Sequence, residues 1–154
     1  MEDKKLATLI DIAIKREEEA YAFYTDILSK SKDKSVKDTL TFLANEEKKH
    51  KEFLVGYKSG KYKMNTLSMD KPVDYKIAEY LNEPEQENVD ESNVYLLAAH
   101  RERRSHDFYK SLADAHPEGE VKTMLLEMAN QEMKHKEKVE YLYSNAAFPQ
   151  TEGG

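Results

Sequence analysis

Residues 43–52 read LANEEKKHKE and residues 128–137 read MANQEMKHKE, agreeing at seven of ten positions at an offset of 85. The same offset carries Ala13, Arg16, Glu17, Phe23 and Tyr24 onto Ala98, Arg101, Glu102, Phe108 and Tyr109, all unchanged in type. One spacing that relates two separated segments marks an internal duplication, so the two halves share one supersecondary plan. That plan is helical. Apolar residues recur at steps of three and four over four stretches, roughly 4 to 31, 35 to 58, 92 to 115 and 118 to 144. Ser31, Lys32 and Asp33 separate the first two, with Ser35 and Asp38 as a capping-box-like start. His116, Pro117, Glu118 and Gly119 separate the last two, with Pro117 suited to a first helical turn. Short connections make antiparallel neighbours, so each half is expected to be a helical hairpin. About 34 residues, 59 to 92, join the halves, with a short helix expected over 73 to 81. A helix of ~25 residues is ~38 Å long, and a connection of this length can run back along it. The expected fold class is therefore all-α, a four-helix bundle built from two duplicated hairpins joined by a long crossover. The expected domain is 1–148, with 149–154 as a flexible tail.

The inward stripes carry polar residues where leucines belong. In the second helix the stripe runs Val36, Leu40, Leu43, Glu47, His50, Leu54, Tyr57; in the fourth it runs Val121, Leu125, Met128, Glu132, His135, Val139, Leu142. The first helix adds Glu17 between Ala13 and Ala20, and the third adds Glu102 between Ala98 and Ser105. Each helix thus turns one carboxylate inward. Residues equidistant from a hairpin turn lie at one height, and the midpoints of 17 with 47 and of 102 with 132 both fall inside the expected turns. Burying an ionised carboxylate costs several kcal/mol, on the order of the desolvation of a lone charge, unless a cation compensates it. The stripes hold no Lys or Arg, which leaves metal ions or bound protons. A His three residues beyond a Glu shares its helix face, so Glu47 with His50 and Glu132 with His135 can each grip one ion, two ions in all with shared carboxylates. The offset also sets the register. Glu18 and Glu19 correspond to Arg103 and Arg104, and Glu46 to Gln131, so Glu17 and Glu47 are the members that keep a carboxylate in both halves.

Composition narrows the chemistry. The chain has 154 residues with 24 Lys plus Arg against 30 Asp plus Glu, a net charge of −6, so no general basic footprint for nucleic acid exists. The one local cluster, Tyr57, Lys58, Lys61, Tyr62 and Lys63, reads as a solvated connection. The absence of Cys excludes disulfides, thiolate metal sites, iron–sulfur clusters and catalytic thiols from this sequence, so a metal must be held by His and carboxylate. Neither a membrane span nor a secretory pattern is present, and a cytoplasmic location is the expectation.

Taken together, Glu17 with Ala20 and Tyr24, the run Glu47, Lys48, Lys49, His50, Glu102 with Tyr109, and the run Glu132, Met133, Lys134, His135 resemble the ferritin-like di-iron carboxylate proteins, and most closely the rubrerythrin family. The resemblance covers all four helices. It implies six metal ligands, Glu17, Glu47, His50, Glu102, Glu132 and His135, holding two iron ions, with manganese or zinc as alternatives. Zinc, which prefers four ligands, suits such a set less well. It further implies a homodimer and an oxidoreductase that reacts with hydrogen peroxide or dioxygen. Peroxide-reducing rubrerythrins typically add a four-Cys rubredoxin-like domain; with no Cys, electrons must come from a separate donor. They also carry an extra Glu three residues after the third-helix ligand, a place held here by Ser105, whose duplicate is Ala20. Tyr24 and Tyr109 either donate to a ligand carboxylate, as the resemblance suggests, or are core aromatics. His100, His106 and His116 have no His at matching positions and read as surface or rim residues. Two other functions stay open: an iron-handling ferroxidase, and a metal-stabilised interaction protein without turnover.

Overall fold

A computed structural model describes residues 2–60 and 72–148, the side chains of 2–4 excepted. The fold is all-α among the described residues: α1 (Glu2–Lys30), α2 (Lys34–Lys58), α3 (Ile77–Tyr80), α4 (Glu91–Asp114) and α5 (Glu120–Ala147). No strand occurs among the described residues, and none of their helices is long and apolar enough to cross a membrane. The chain divides into two compact units, Met1–Thr66 and Leu67–Gly154, so each duplicated half is a unit of its own. Lys61, Tyr62 and Lys63 of the basic cluster, and the expected tail 149–154, lie outside the described residues.

In the first unit α1 and α2 form an antiparallel hairpin. Ser31 ends α1 by donating its hydroxyl to the Ile27 carbonyl at 2.7 Å. Asp33, in an extended conformation, then caps α2 by accepting from the Val36 N–H at 3.0 Å. The cap is therefore Asp33, two residues before the expected Ser35. A carboxylate at the N-cap satisfies an orphan amide and also meets the positive end of the helix dipole, which a hydroxyl does less well. Ile10, Ala13, Ala20, Tyr24 and Ile27 of α1 are buried, as are Val36, Leu40, Leu43 and Leu54 of α2. Each such Leu or Ile stabilises the hairpin by roughly 1.5–3 kcal/mol relative to exposure. On the outer side Lys58 pairs with Asp11 at 2.6 Å and Lys51 with Glu18 at 2.8 Å; these exposed pairs set little beyond local register.

The second unit repeats the hairpin as α4 and α5. Gly119 provides the entry to α5 with φ 152, which a side chain rarely adopts, and so α5 starts at Glu120 rather than at Pro117, which stays in the turn. His116 Nδ1 bonds the Leu112 carbonyl at 2.7 Å at the end of α4. The duplicated ring pairs keep one geometry: Phe23 packs edge-on against Tyr24 at 5.3 Å and 72°, and Phe108 against Tyr109 at 5.2 Å and 74°. The expected short helix over 73 to 81 shrinks to the four residues of α3. Asp74 turns back to accept from the Lys76 N–H at 2.9 Å, and Lys76 enters α3 at φ 58, which delays the first helical residue to Ile77.

Candidate metal centre

Periodicity positions the site. In α2 Leu43, Glu47, His50 and Leu54 advance by four, three and four, so Glu47 and His50 occupy the stripe that also buries the two leucines. Glu17 enters from α1, where Ala13 and Ala20, one turn to either side, are also buried. His50 Nδ1 lies 3.7 Å from Glu17 Oε1 and 3.9 Å from Glu47 Oε2. All three residues are buried and offer ligand atoms within 4.8 Å of one another.

The second hairpin reproduces this arrangement. Glu102 of α4 and Glu132 and His135 of α5 are buried, their ligand atoms again within 4.8 Å of one another, and His135 Nδ1 lies 3.5 Å from Glu102 Oε2. The six residues expected from the sequence are thus brought together as two triads, each of two carboxylates and one imidazole.

The triads fit a metal ion by donor type and by spacing. Imidazole with carboxylate suits iron, manganese or zinc. The His–carboxylate separations exceed an ordinary N–H···O hydrogen bond of roughly 2.7–3.2 Å. Two donors each ~2.1 Å from a shared ion stand roughly 3.0 Å apart at a right angle and roughly 4.2 Å apart when opposed. The observed 3.5 to 3.9 Å falls between those limits.

The neighbouring carboxylates lie off the buried stripe. Glu18 and Glu19 are exposed, Glu18 pairing with Lys51, while Glu46 pairs with Lys49 at 3.3 Å. Tyr24 and Tyr109 are fully buried, and Ser105, three residues after Glu102, is buried. His100 and His106 bond away from the triads, to the Leu81 carbonyl at 2.8 Å and the Asp107 carboxylate at 3.0 Å, and His116 serves the end of α4.

Three buried ionisable residues escaped the sequence reading, Lys136 with its partner Glu140, and Glu127. Lys136, next to His135, is fully buried and pairs with Asp74, Glu79 and Glu140 at 2.6, 2.9 and 3.0 Å. Its i, i+4 relation to Glu140 was the available signal, but such pairs are common on solvated faces. Glu127 is 4% exposed, its Oε2 has no hydrogen-bond partner among the described residues, and burial pushes its carboxyl above the ordinary value.

Among known families, the Rubrerythrin model matches residues 1–57, a segment that holds α1, nearly all of α2 and the whole first triad. No curated protein and no solved structure matches the chain. The first triad thus lies inside the segment that is similar to the Rubrerythrin family, and the second repeats it at the offset of 85.

Proposed function

We propose that this protein is a non-haem di-iron oxidoreductase of rubrerythrin type, which reduces hydrogen peroxide or dioxygen with electrons from a separate donor. The observation that carries the reading is the buried Glu, Glu, His triad present twice in one chain, inside and beyond the matched family segment. Glu17, Glu47 and His50 would hold one iron, and Glu102, Glu132 and His135 the other. Bound iron supplies a one-electron ferrous–ferric change per ion, so two ions match the two electrons and two protons that convert hydrogen peroxide to two waters. The protein's own contribution is to fix the donors before the ion arrives. His50 and His135 turn Nδ1 toward the carboxylates, and the helices bury all six side chains away from competing water. Tyr24 and Tyr109, buried two turns beyond Glu17 and Glu102, would steady those carboxylates through their phenols. The 154 residues hold no Cys, and in this reading the electron carrier is a separate protein that docks to a cytoplasmic homodimer.

The test is anaerobic loading with ferrous iron, stoichiometric hydrogen peroxide, and repeated additions in the presence of an electron donor. Sustained peroxide consumption with return of the ferrous spectrum supports the oxidoreductase. One oxidation without recovery, accompanied by a large shell in native mass spectrometry, would point to iron storage instead.

A further inference from the structure

Both hairpins carry a lysine directly after the triad histidine, Lys51 and Lys136. The Lys51 side chain is 41% exposed, and that of Lys136 is 0% exposed. One turn further on, Val55 is 48% exposed and its counterpart Glu140 is 0% exposed. Within the second unit the difference is made by segment 72–83, which is pinned to α4 and α5 along its length. The Val73 N–H donates to the Glu137 carboxylate, and the Ala78 N–H donates to Glu140 Oε2 at 2.8 Å. Lys136 donates to Asp74 and Glu79, His100 bonds the Leu81 carbonyl at 2.8 Å, and Arg104 pairs with Glu83.

Charge explains why the first hairpin could not take this segment in the same way. The counterparts of His100, Arg103, Arg104, Lys136, Glu137 and Glu140 are Lys15, Glu18, Glu19, Lys51, Glu52 and Val55. Glu18 and Glu19 would face Glu79 and Glu83 with like charge, and Val55 lacks the carboxylate that receives Ala78 N–H. The two copies have diverged so that only one is addressed.

Lys136 is the buried anchor. Its ammonium is compensated by the carboxylates of Asp74, Glu79 and Glu140, which stand 2.6, 2.9 and 3.0 Å from it. Removing one member of such a cluster leaves buried charge uncompensated, so it holds or releases as a unit.

We propose that segment 72–83 is a strap locking the second triad alone, with Lys136 as its positioning residue, so that a metal held by Glu102, Glu132 and His135 exchanges more slowly than one held by Glu17, Glu47 and His50. The metal part rests on the di-iron reading above; the docking of the strap does not. Loss of a ligand from the second triad requires α5 to move near His135, and that movement has to break the strap's contacts with Lys136, Glu137 and Glu140.

The test uses the full chain. After anaerobic loading with ferrous iron, a coloured ferrous chelator should withdraw iron in two phases, with the slow phase retained in His50→Ala and the fast phase in His135→Ala. Lys136→Met should speed the slow phase at least tenfold, whereas Lys51→Met should leave both phases unchanged. In metal-free protein, hydrogen exchange at the Ala78 and Leu81 amides should rise at least tenfold in Lys136→Met with α2 unaffected. Asp74→Asn combined with Glu79→Gln, which leaves Lys136 its partner Glu140, should give the same result if Lys136→Met fails to fold. Two irons leaving wild type in one phase, or unchanged exchange in the strap variants, would overturn the strap while leaving the di-iron reading intact. A wild type that binds no iron overturns the di-iron reading and the exchange claim together.

Discussion

His135 Nδ1 stands 3.5 Å from Glu102 Oε2, an imidazole and a carboxylate on neighbouring antiparallel helices, both buried, at a separation too long for a hydrogen bond and suited to a shared ion. His50 and Glu17 repeat the relation at 3.7 Å in the other hairpin. His50→Ala or His135→Ala should each lower the iron retained after dialysis from two equivalents toward one. Helical circular dichroism should be preserved, because the imidazole is replaced by a good helix former. Metal analysis of the dialysed variants checks this; full retention in both would remove the histidines from the site.

Metal should also stabilise the fold. Each triad gathers two carboxylates in a buried position, and an ion that binds only the folded chain adds stability by mass action, about 2.7 kcal/mol at a hundredfold excess over Kd. Thermal unfolding with and without ferrous iron or manganese under anaerobic conditions measures it. An unchanged midpoint at saturating metal would count against binding at these residues.

Glu127 predicts a pH-dependent gain from an apolar replacement. Its counterpart in the first hairpin is Phe42, so the position is not bound to a carboxylate by the duplication. Burial raises its folded pKa above the ordinary 4.5, so the folded chain holds the proton more tightly than the unfolded chain does. The resulting penalty on folding is full above the folded pKa, fades as pH falls through it, and is gone below the unfolded value. Glu127→Met should therefore raise stability by about 1–3 kcal/mol at neutral pH and by less in acid. Urea unfolding at about pH 7 and about pH 5 compares the two; an equal gain at both would trace the effect to packing rather than ionisation.

The start of α2 offers a direct comparison of two candidate caps. Asp33 accepts from the Val36 amide, so Asp33→Ala should cost about 1 kcal/mol, whereas Ser35→Ala should change stability by only a few tenths. Chemical denaturation of the two variants ranks them, and the reverse ranking would return the cap to Ser35.

The helices, the two hairpins and both triads were legible in the sequence because each depends on local periodicity. A helix places i, i+3 and i+4 on one face wherever it lies, so Glu47 with His50 and Glu132 with His135 follow from spacing, and the offset of 85 selects Glu17 over Glu18 and Glu19. End effects were less legible: several Ser and Asp residues near a turn can cap, and only the backbone torsions select Asp33 and place Gly119 ahead of α5. The burial of Lys136 lay beyond the sequence altogether. Its partners Asp74 and Glu79 stand 62 and 57 positions away, and no periodic rule relates a crossover segment to a helix face. That Lys51 stays exposed while Lys136 is enclosed is decided by where segment 72–83 docks, which long-range charge and hydrogen-bond pairing settle only once the chain has folded.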